Sequence, residues 1–486
     1  PPLDNWLLGH FIRVLTSEPG ALPLGWAKQY GPVVRTVGPV GRDRLFVFRP
    51  EALHKILATD WTDYPRPKFM RDMLGLVAGY GLLTVTGNEH KQMRKAMNPA
   101  FSLANLMNQT DMYFDSIHLL VDILNKELEG CSEGRALEMY TWMSKVTLDI
   151  ICDTAFGYSS EALTNPRNEL THAYEELINL QSGVNLAKFT FLLMVPGMPT
   201  FLNSRWGHKL RQMWNVSRHT APIMTLVDTM HRIRALSRRI LREKIAEDDD
   251  RASKKDIMSL LVRARRGEAK DGYQLNDDAL VDQVLTFLGA GHETTASGLS
   301  WALWLLATHP EAQDKLRAEV APVFARGARP DYRAMKDLPT LEGVIMESLR
   351  LFPPVPITLR EAAKSDWVDG TYVPKGTMFY LPIRAINTWT AIWGADAEEF
   401  KPERWRALPE TYSVQYSLLS FIAGPHACIG RTMAVSEMKA VLAAMVANFE
   451  FKPAYEGQGA KPVAAVTMKP ADNMPLWVTP VSERVK

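Results

Sequence analysis

Cysteine is scarce in this 486-residue chain: there are three, at positions 131, 152 and 428. No Cys-x-x-Cys pair occurs, so neither a zinc site nor a disulfide framework is indicated, and the usage is that of a reducing compartment. Charge of one sign is scarce too. A net charge of +2 provides no broad basic field, which argues against nucleic acid as a partner and leaves any electrostatic partner to a local patch. No stretch reaches the roughly 18 uninterrupted apolar residues of a membrane-spanning helix. Ser/Gly linkers, low-complexity tracts, repeats and a glycine-rich nucleotide or flavin loop are all missing. Length alone would allow about three domains. With 46% hydrophobic residues and no linker, the expectation is one domain over residues 1–486.

What is there begins with Cys428, in Phe421-Ile-Ala-Gly-Pro-His-Ala-Cys-Ile-Gly430. A lone cysteine sits between Gly424 and Gly430, and a helical pattern follows at once. Cysteine binds metal as the thiolate, whose formation a helix N-terminus favours. Glycines let the backbone fold tightly around the sulfur. One thiolate on iron suits a haem that activates oxygen. A buried structural cysteine is the alternative, and it is the preferred reading for Cys131 and Cys152.

The pattern is α-rich with small β sheets. Hairpins are expected at 33–37 with 45–48, and at 367–368 with 371–373. A third is expected within 463–478, turning at Ala471-Asp472-Asn473. The β-rich portions are thus near 30–60, 355–385 and 460–480, with α-rich ones near 90–350 and 430–450. A helix from about Asn276 to His309 has N-cap chemistry at Asn276-Asp277-Asp278 and Pro310 beyond its end. Its length is roughly 48 Å at 1.5 Å per residue. Its centre reads Gly289-Ala-Gly-His-Glu-Thr-Thr295, poor in propensity by up to about 1 kcal/mol per glycine. Small residues there admit a flat ligand, threonine competes for backbone carbonyls, and Glu293 supplies an ionisable group. Close helix packing at the glycines is an equal alternative.

Glu347 and Arg350 share a helix face at i, i+3. Leu351-Phe352-Pro353-Pro354 places that helix end inside the protein, and Arg404 is a candidate third member, since a buried guanidinium satisfies several acceptors.

Taken together, these motifs resemble the cytochrome P-450 haem-thiolate monooxygenases over essentially the whole chain. Phe421, Gly424, Cys428 and Gly430 match the FxxGxxxCxG signature. Ala290 to Thr295 match the oxygen-activation motif, Glu347 and Arg350 the ExxR, and Phe400-Lys-Pro-Glu-Arg-Trp405 the PERF-like segment. The resemblance implies the P-450 fold, with haem b (iron protoporphyrin IX) between the central helix and the cysteine loop. Cys428 would be the axial iron ligand and Phe421 its modulator; Thr294 with Glu293 would manage protons for dioxygen. Ala290 and Gly291 would face the haem. Glu347, Arg350 and Arg404 would support the cysteine loop without entering the chemistry.

Propionate contacts would come from Arg94 and Arg360, and from His90 and His426, each of which can donate a hydrogen bond to a carboxylate. The chain departs from the family at His426, where arginine is common, and at His90, where tryptophan is common after a loop read at 77–87. Histidine helps with charge only when protonated. These histidines resemble those of fungal microsomal members. Pocket walls are expected from 69–83, 181–191, 289–294, 355–358 and the turn at Asn473-Met474. Electrons would come from NADPH through a separate reductase, with cytochrome b5 as a further candidate donor, and Lys91, Arg94 and Lys95 are candidates for a basic docking face.

The apolar stretch 189–201 reads equally as core or as contact with a membrane surface. The resemblance implies the cytosolic face of the endoplasmic reticulum, with an N-terminal anchor not contained in this chain. The expected reaction is monooxygenation of a terpenoid, steroid, fatty acid or aromatic. A haem-thiolate isomerase, dehydratase or peroxide-driven enzyme is the alternative, and a non-catalytic haem sensor or carrier a third.

Overall fold

The computed structural model describes residues 1–131, 133–165, 167–180, 189, 192, 195, 197–207, 209, 221–247, 256–266, 276–325, 327–464 and 467–481. The helices that build the site are α1 (Lys68–Ala78), α2 (Gly87–Met97), α3 (Tyr113–Glu127), α4 (Met139–Phe156), α5 (Glu169–Leu180), α6 (Ala221–Glu247), α7 (Asp277–Thr308), α8 (Pro339–Leu351) and α9 (Arg431–Asn448). The strands among the described residues are β1 (Val33–Val37), β2 (Asp43–Val47), β3 (Arg135–Glu138), β4 (Thr358–Glu361), β5 (Asp366–Val368), β6 (Thr371–Val373), β7 (Met378–Leu381), β8 (Phe449–Pro453), β9 (Pro462–Ala464), β10 (Met468–Pro470) and β11 (Pro475–Pro480).

Helix α7 is the axis. Asn276 caps it as the sequence indicates, its Oδ1 accepting from the Ala279 amide at 2.8 Å, which satisfies one of the orphan donors of the first turn. From Leu280 to Ala307 it is buried nearly all round, the mark of a helix crossing a core. Its C-terminal half packs with α3, α4, α8 and α9 through Tyr113, Leu299, Trp301 and Met438. Its N-terminal half packs with α2, α4, α5 and α6 through Met93, Ile151, Tyr174 and Phe287. A third cluster, with Phe46, Phe48 and Phe379, fills the space around the sheet β1-β2-β7-β4.

The first two hairpins stand as expected: Val33 to Val37 pair antiparallel with Val47 to Asp43, and Asp366 to Val368 with Val373 to Thr371. The third expectation is corrected. β10 turns back on β9, whereas β11 leaves past Asn473 to pair with both β8 and β3. Pro470 and Pro475 flank the would-be turn, and a proline lacks the amide a tight ladder needs. β3 itself lies in a range expected to be helical; four residues between two long helices carry too little alternation to read. The loop read at 77–87 also begins later, since Val77 and Ala78 close α1.

Asp153 on α4 shows what burial near like charge does. Burial first, then Asp115 and Asp256, raise its carboxyl to about 6, with Lys244 opposing. A raised folded-state value costs stability above that pH, and the cost vanishes below about 4, where the unfolded chain also binds the proton. Asp153→Asn is therefore expected to raise the melting temperature at pH 8 and to lose that advantage as pH falls through 6 towards 4.

Candidate active site

A cavity of about 1100 Å³ lies where the three core clusters meet. One wall is the cysteine loop. The Cys428 amide donates to the Phe421 carbonyl at 2.9 Å, and the Arg431 guanidinium lies 5.6 Å from the Phe421 ring centre. Gly424 has φ of 72°, and a Cβ there would meet the Leu57 carbonyl oxygen at 2.0 Å. Only glycine lets the loop press this closely on the turn Lys55–Thr59. Gly430 is the N-cap of α9.

The Cys428 thiol opens on the cavity. Burial from bulk water pushes the thiol up; the Gly430 amide, Arg94 and Arg431 pull it down but do not prevail. A cation at the sulfur would reverse that balance, because a coordinating thiol loses its proton outright. Among the described residues no group of three His, Cys, Asp or Glu side chains converges as a metal site.

The opposite wall is the centre of α7. Gly289, Ala290, Gly291, Glu293 and Thr294 all line the cavity, and Ala290 is accessible in mid-helix. Thr294 Oγ1 donates to the Ala290 carbonyl at 2.7 Å and Thr295 Oγ1 to that of Gly291 at 2.9 Å. Both readings of the glycines hold. A Cβ on Gly291 would stand 2.6 Å from Ile151 Cγ1, which is close helix packing, whereas one on Gly289 would make only ordinary contact with Ala78. Glu293 and Thr294 do not bond each other. Glu293 Oε1 instead accepts from Thr467 Oγ1 at 2.5 Å, and its carboxyl is raised by burial against the pull of Thr467 and Lys469.

Arg66, Arg94, His90 and His426 line the cavity together, with buried Arg360 close to Arg66 and His426. Arg94 donates to the Ala427 carbonyl, which corrects its assignment to an outward docking face; Lys91 and Lys95 on α2 remain exposed. Arg66, missed in the sequence, donates to the Leu83 carbonyl at 3.0 Å and points Nη1 at His426 Nδ1, 3.4 Å away. Its only sequence signal is an arginine between Pro65 and Pro67. Arg360 donates to Thr358 Oγ1 and the Leu359 carbonyl, while its Nη2 is buried without a partner.

The rings of His90 and His426 lie 3.8 Å apart, with Trp61 edge-on to both. Burial and the neighbouring arginines lower His90 to about 4 and His426 to about 2. Burial and the arginines thus disfavour the charged form of both rings, and an anion bound beside them would act in the opposite direction. The guanidiniums bond carbonyl, amide and hydroxyl oxygens rather than carboxylates, which leaves buried positive charge for an anionic ligand to meet.

Behind the loop, Glu347 and Arg350 are 0% exposed and pair at 2.7 Å. Arg404 Nε joins at 3.2 Å, as the sequence suggests. Trp405 Nε1 adds a donor at 3.0 Å that the motif alone does not announce. Arg350 also donates to the carbonyls of Asn387, Ala397 and Glu399. The group ties α8 to 396–405.

Of the expected walls, 69–83, 289–294 and 355–358 line the cavity. Of 181–191 only Phe189 is described, and the rest lies outside the described residues. The turn at Asn473-Met474 is corrected: Met474 is buried in the core cluster of α3, α8 and α9, and Thr467 reaches the cavity instead.

A cysteine and small residues lining one predominantly apolar chamber, with cationic groups among the lining, fit a flat dianionic macrocycle bound through sulfur. That is the class of haem-thiolate proteins. The Cytochrome P450 profile matches residues 1–476. The chain is 32% identical over 474 residues to cytochrome P450 monooxygenase 205 of Postia placenta, covering 93% of this chain and 85% of that protein. It is 33% identical to cytochrome P450 monooxygenase sphH of Aspergillus fumigatus, covering 99% and 87%, and 29% identical to FUM15 of Gibberella moniliformis, covering 93% and 82%. The chain belongs to the cytochrome P450 family and is a monooxygenase of fungal type.

Proposed function

We propose that residues 1–486 act as one catalytic unit that oxidises a lipophilic small molecule, a terpenoid, steroid, fatty acid or aromatic. Electrons would come from NADPH through a separate reductase, with cytochrome b5 as a second possible donor. The observation that carries this reading is that the Cys428 residue and Ala290 and Thr294 of α7 line one predominantly apolar cavity. A haem bound through one thiolate supplies oxygen activation, because electron density from sulfur favours O–O cleavage.

The chain's own residues do the rest. Cys428 would ligate the iron through sulfur, and Arg66, Arg94 and Arg360 would hold the propionates, with His90 and His426 as hydrogen-bonding neighbours. Phe421 and Gly424 fix the loop. Leu82, Val355, Ile357 and Phe287 exclude water, which lengthens the life of reactive species. Thr294 releases the Ala290 carbonyl to hold or pass a proton, and Glu293 stores one. The turn of α7 needs no rebuilding for this, since Thr294 only exchanges one acceptor for another.

Membrane contact is supported by exposed apolar residues among those lining the cavity, with Phe11, Val40 and Val195 among the lining. Val40 is 80% exposed, and Trp6, Ile12, Val195 and Phe201 are exposed nearby in sequence. Within 189–201, Phe189 is buried in core while Val195 and Phe201 are exposed, and 190, 191, 193, 194 and 196 lie outside the described residues. Among the described residues no helix is long and apolar enough to cross a membrane. The cytosolic face of the endoplasmic reticulum is the setting we propose.

Thr294→Ala tests the proton role. With reductase, NADPH and a lipophile selected by its spin-state shift, product per NADPH is expected to fall by roughly tenfold or more, at or below the low side of what a positioned proton donor contributes. Hydrogen peroxide should rise to match. Unchanged coupling would remove Thr294 from the mechanism.

A further inference from the structure

Glu293 is held from outside its own helix. Thr467 Oγ1 donates to Glu293 Oε1 at 2.5 Å, and both residues are buried and line the cavity. The segment carrying Thr467 is itself clamped. The Met468 carbonyl accepts from Ser297 Oγ at 2.7 Å and from Trp301 Nε1 at 2.9 Å, one and two turns further along α7. The Met468 amide donates to the Pro354 carbonyl at 2.7 Å. Strand β10 therefore cannot slide along α7 without breaking three buried hydrogen bonds, each expensive to leave unmade. Lys469, next in the strand, is buried too.

We propose that Thr467 is a positioning residue that holds the Glu293 carboxyl at the cavity wall for proton delivery, with Lys469 as its charged neighbour. The inference rests on the proton-storing role of Glu293 proposed above. The step is a proton transfer alone. A proton leaves the Glu293 carboxyl toward the Thr294 side of the cavity and is replaced from solvent, and no electron moves.

Four groups bear on that carboxyl. Thr467 and Lys469 come from the β10 segment, Tyr140 from α4 and Tyr174 from α5. The two phenols are buried and kept neutral. Against burial, which favours the acid, only the Thr467 hydroxyl and the Lys469 ammonium favour the carboxylate. Without them burial would act unopposed by these two groups and the acid form would gain.

The test is infrared difference spectroscopy of the ferric holoprotein during acid titration. Glu293→Gln identifies the band, since the variant loses it. In Thr467→Val and in Lys469→Met the midpoint of that band is expected to move up by about one pH unit, the usual order for losing one partner of the charged form. Thr467→Ser should restore the original midpoint. Haem content and the carbon-monoxide band report that each variant folds. A midpoint unmoved in Thr467→Val, or moved and not restored by serine, would overturn the assignment. The parent reading fails separately, if Glu293→Gln leaves peroxide per NADPH unchanged.

Discussion

Cys428→His is expected to abolish the carbon-monoxide Soret band of a thiolate-bound haem and to reduce monooxygenation to background. The physical reason lies in the loop. The Cys428 residue opens on the cavity, and its backbone is pinned by the hydrogen bond its amide donates to the Phe421 carbonyl and by the contact of Gly424 with the 55–59 turn. Imidazole in place of sulfur keeps a ligand but removes the anionic donor whose electron density favours O–O cleavage. Nearby Arg94 and Arg431, which help the thiolate, would oppose a charged imidazolium. Reduced minus carbon-monoxide spectra of the purified variant are the measurement. A band kept at the thiolate position would show that another residue ligates the iron.

The second large effect is expected at Arg350→Leu. Removing one partner of a buried ion pair costs about 3–5 kcal/mol, because the other charge is left behind. Here the orphan would be Glu347, 0% exposed, along with the carbonyls of Asn387, Ala397 and Glu399. Arg404 and Trp405 would still reach Glu347, which softens the loss without cancelling it. Denaturant midpoints and haem retention should both drop. Trp405→Phe removes a single donor and should cost less, about 1.5–3 kcal/mol for a bond to a charged group. A cost for Arg350→Leu no larger than that for Trp405→Phe would argue against the buried pair as the support of this region.

Much of this was legible in the chain because it is local. Cys428 with its glycines, the Asn276 cap, the small residues at 289–291 and the Glu347–Arg350 spacing are short-range patterns. Each places its side chain through helix or loop geometry alone. Errors fell where placement depends on distant partners. The strand β3 forms because β11 lies beside it, and β11 passes Asn473 because β8 offers a ladder.

The site divides in the same way. By itself the sequence determined the family to which the chain belongs and named the candidate sulfur ligand and the candidate helix across from it, since these are written in contiguous motifs with fixed spacing. Tertiary structure alone decided the charge state of the site. Whether His90 and His426 are neutral, whether the Cys428 thiol is raised or lowered, and whether Glu293 meets Thr294 or Thr467 all depend on burial and on neighbours remote in sequence. Desolvation acts through space, and no spacing along a chain records which charges will share a wall.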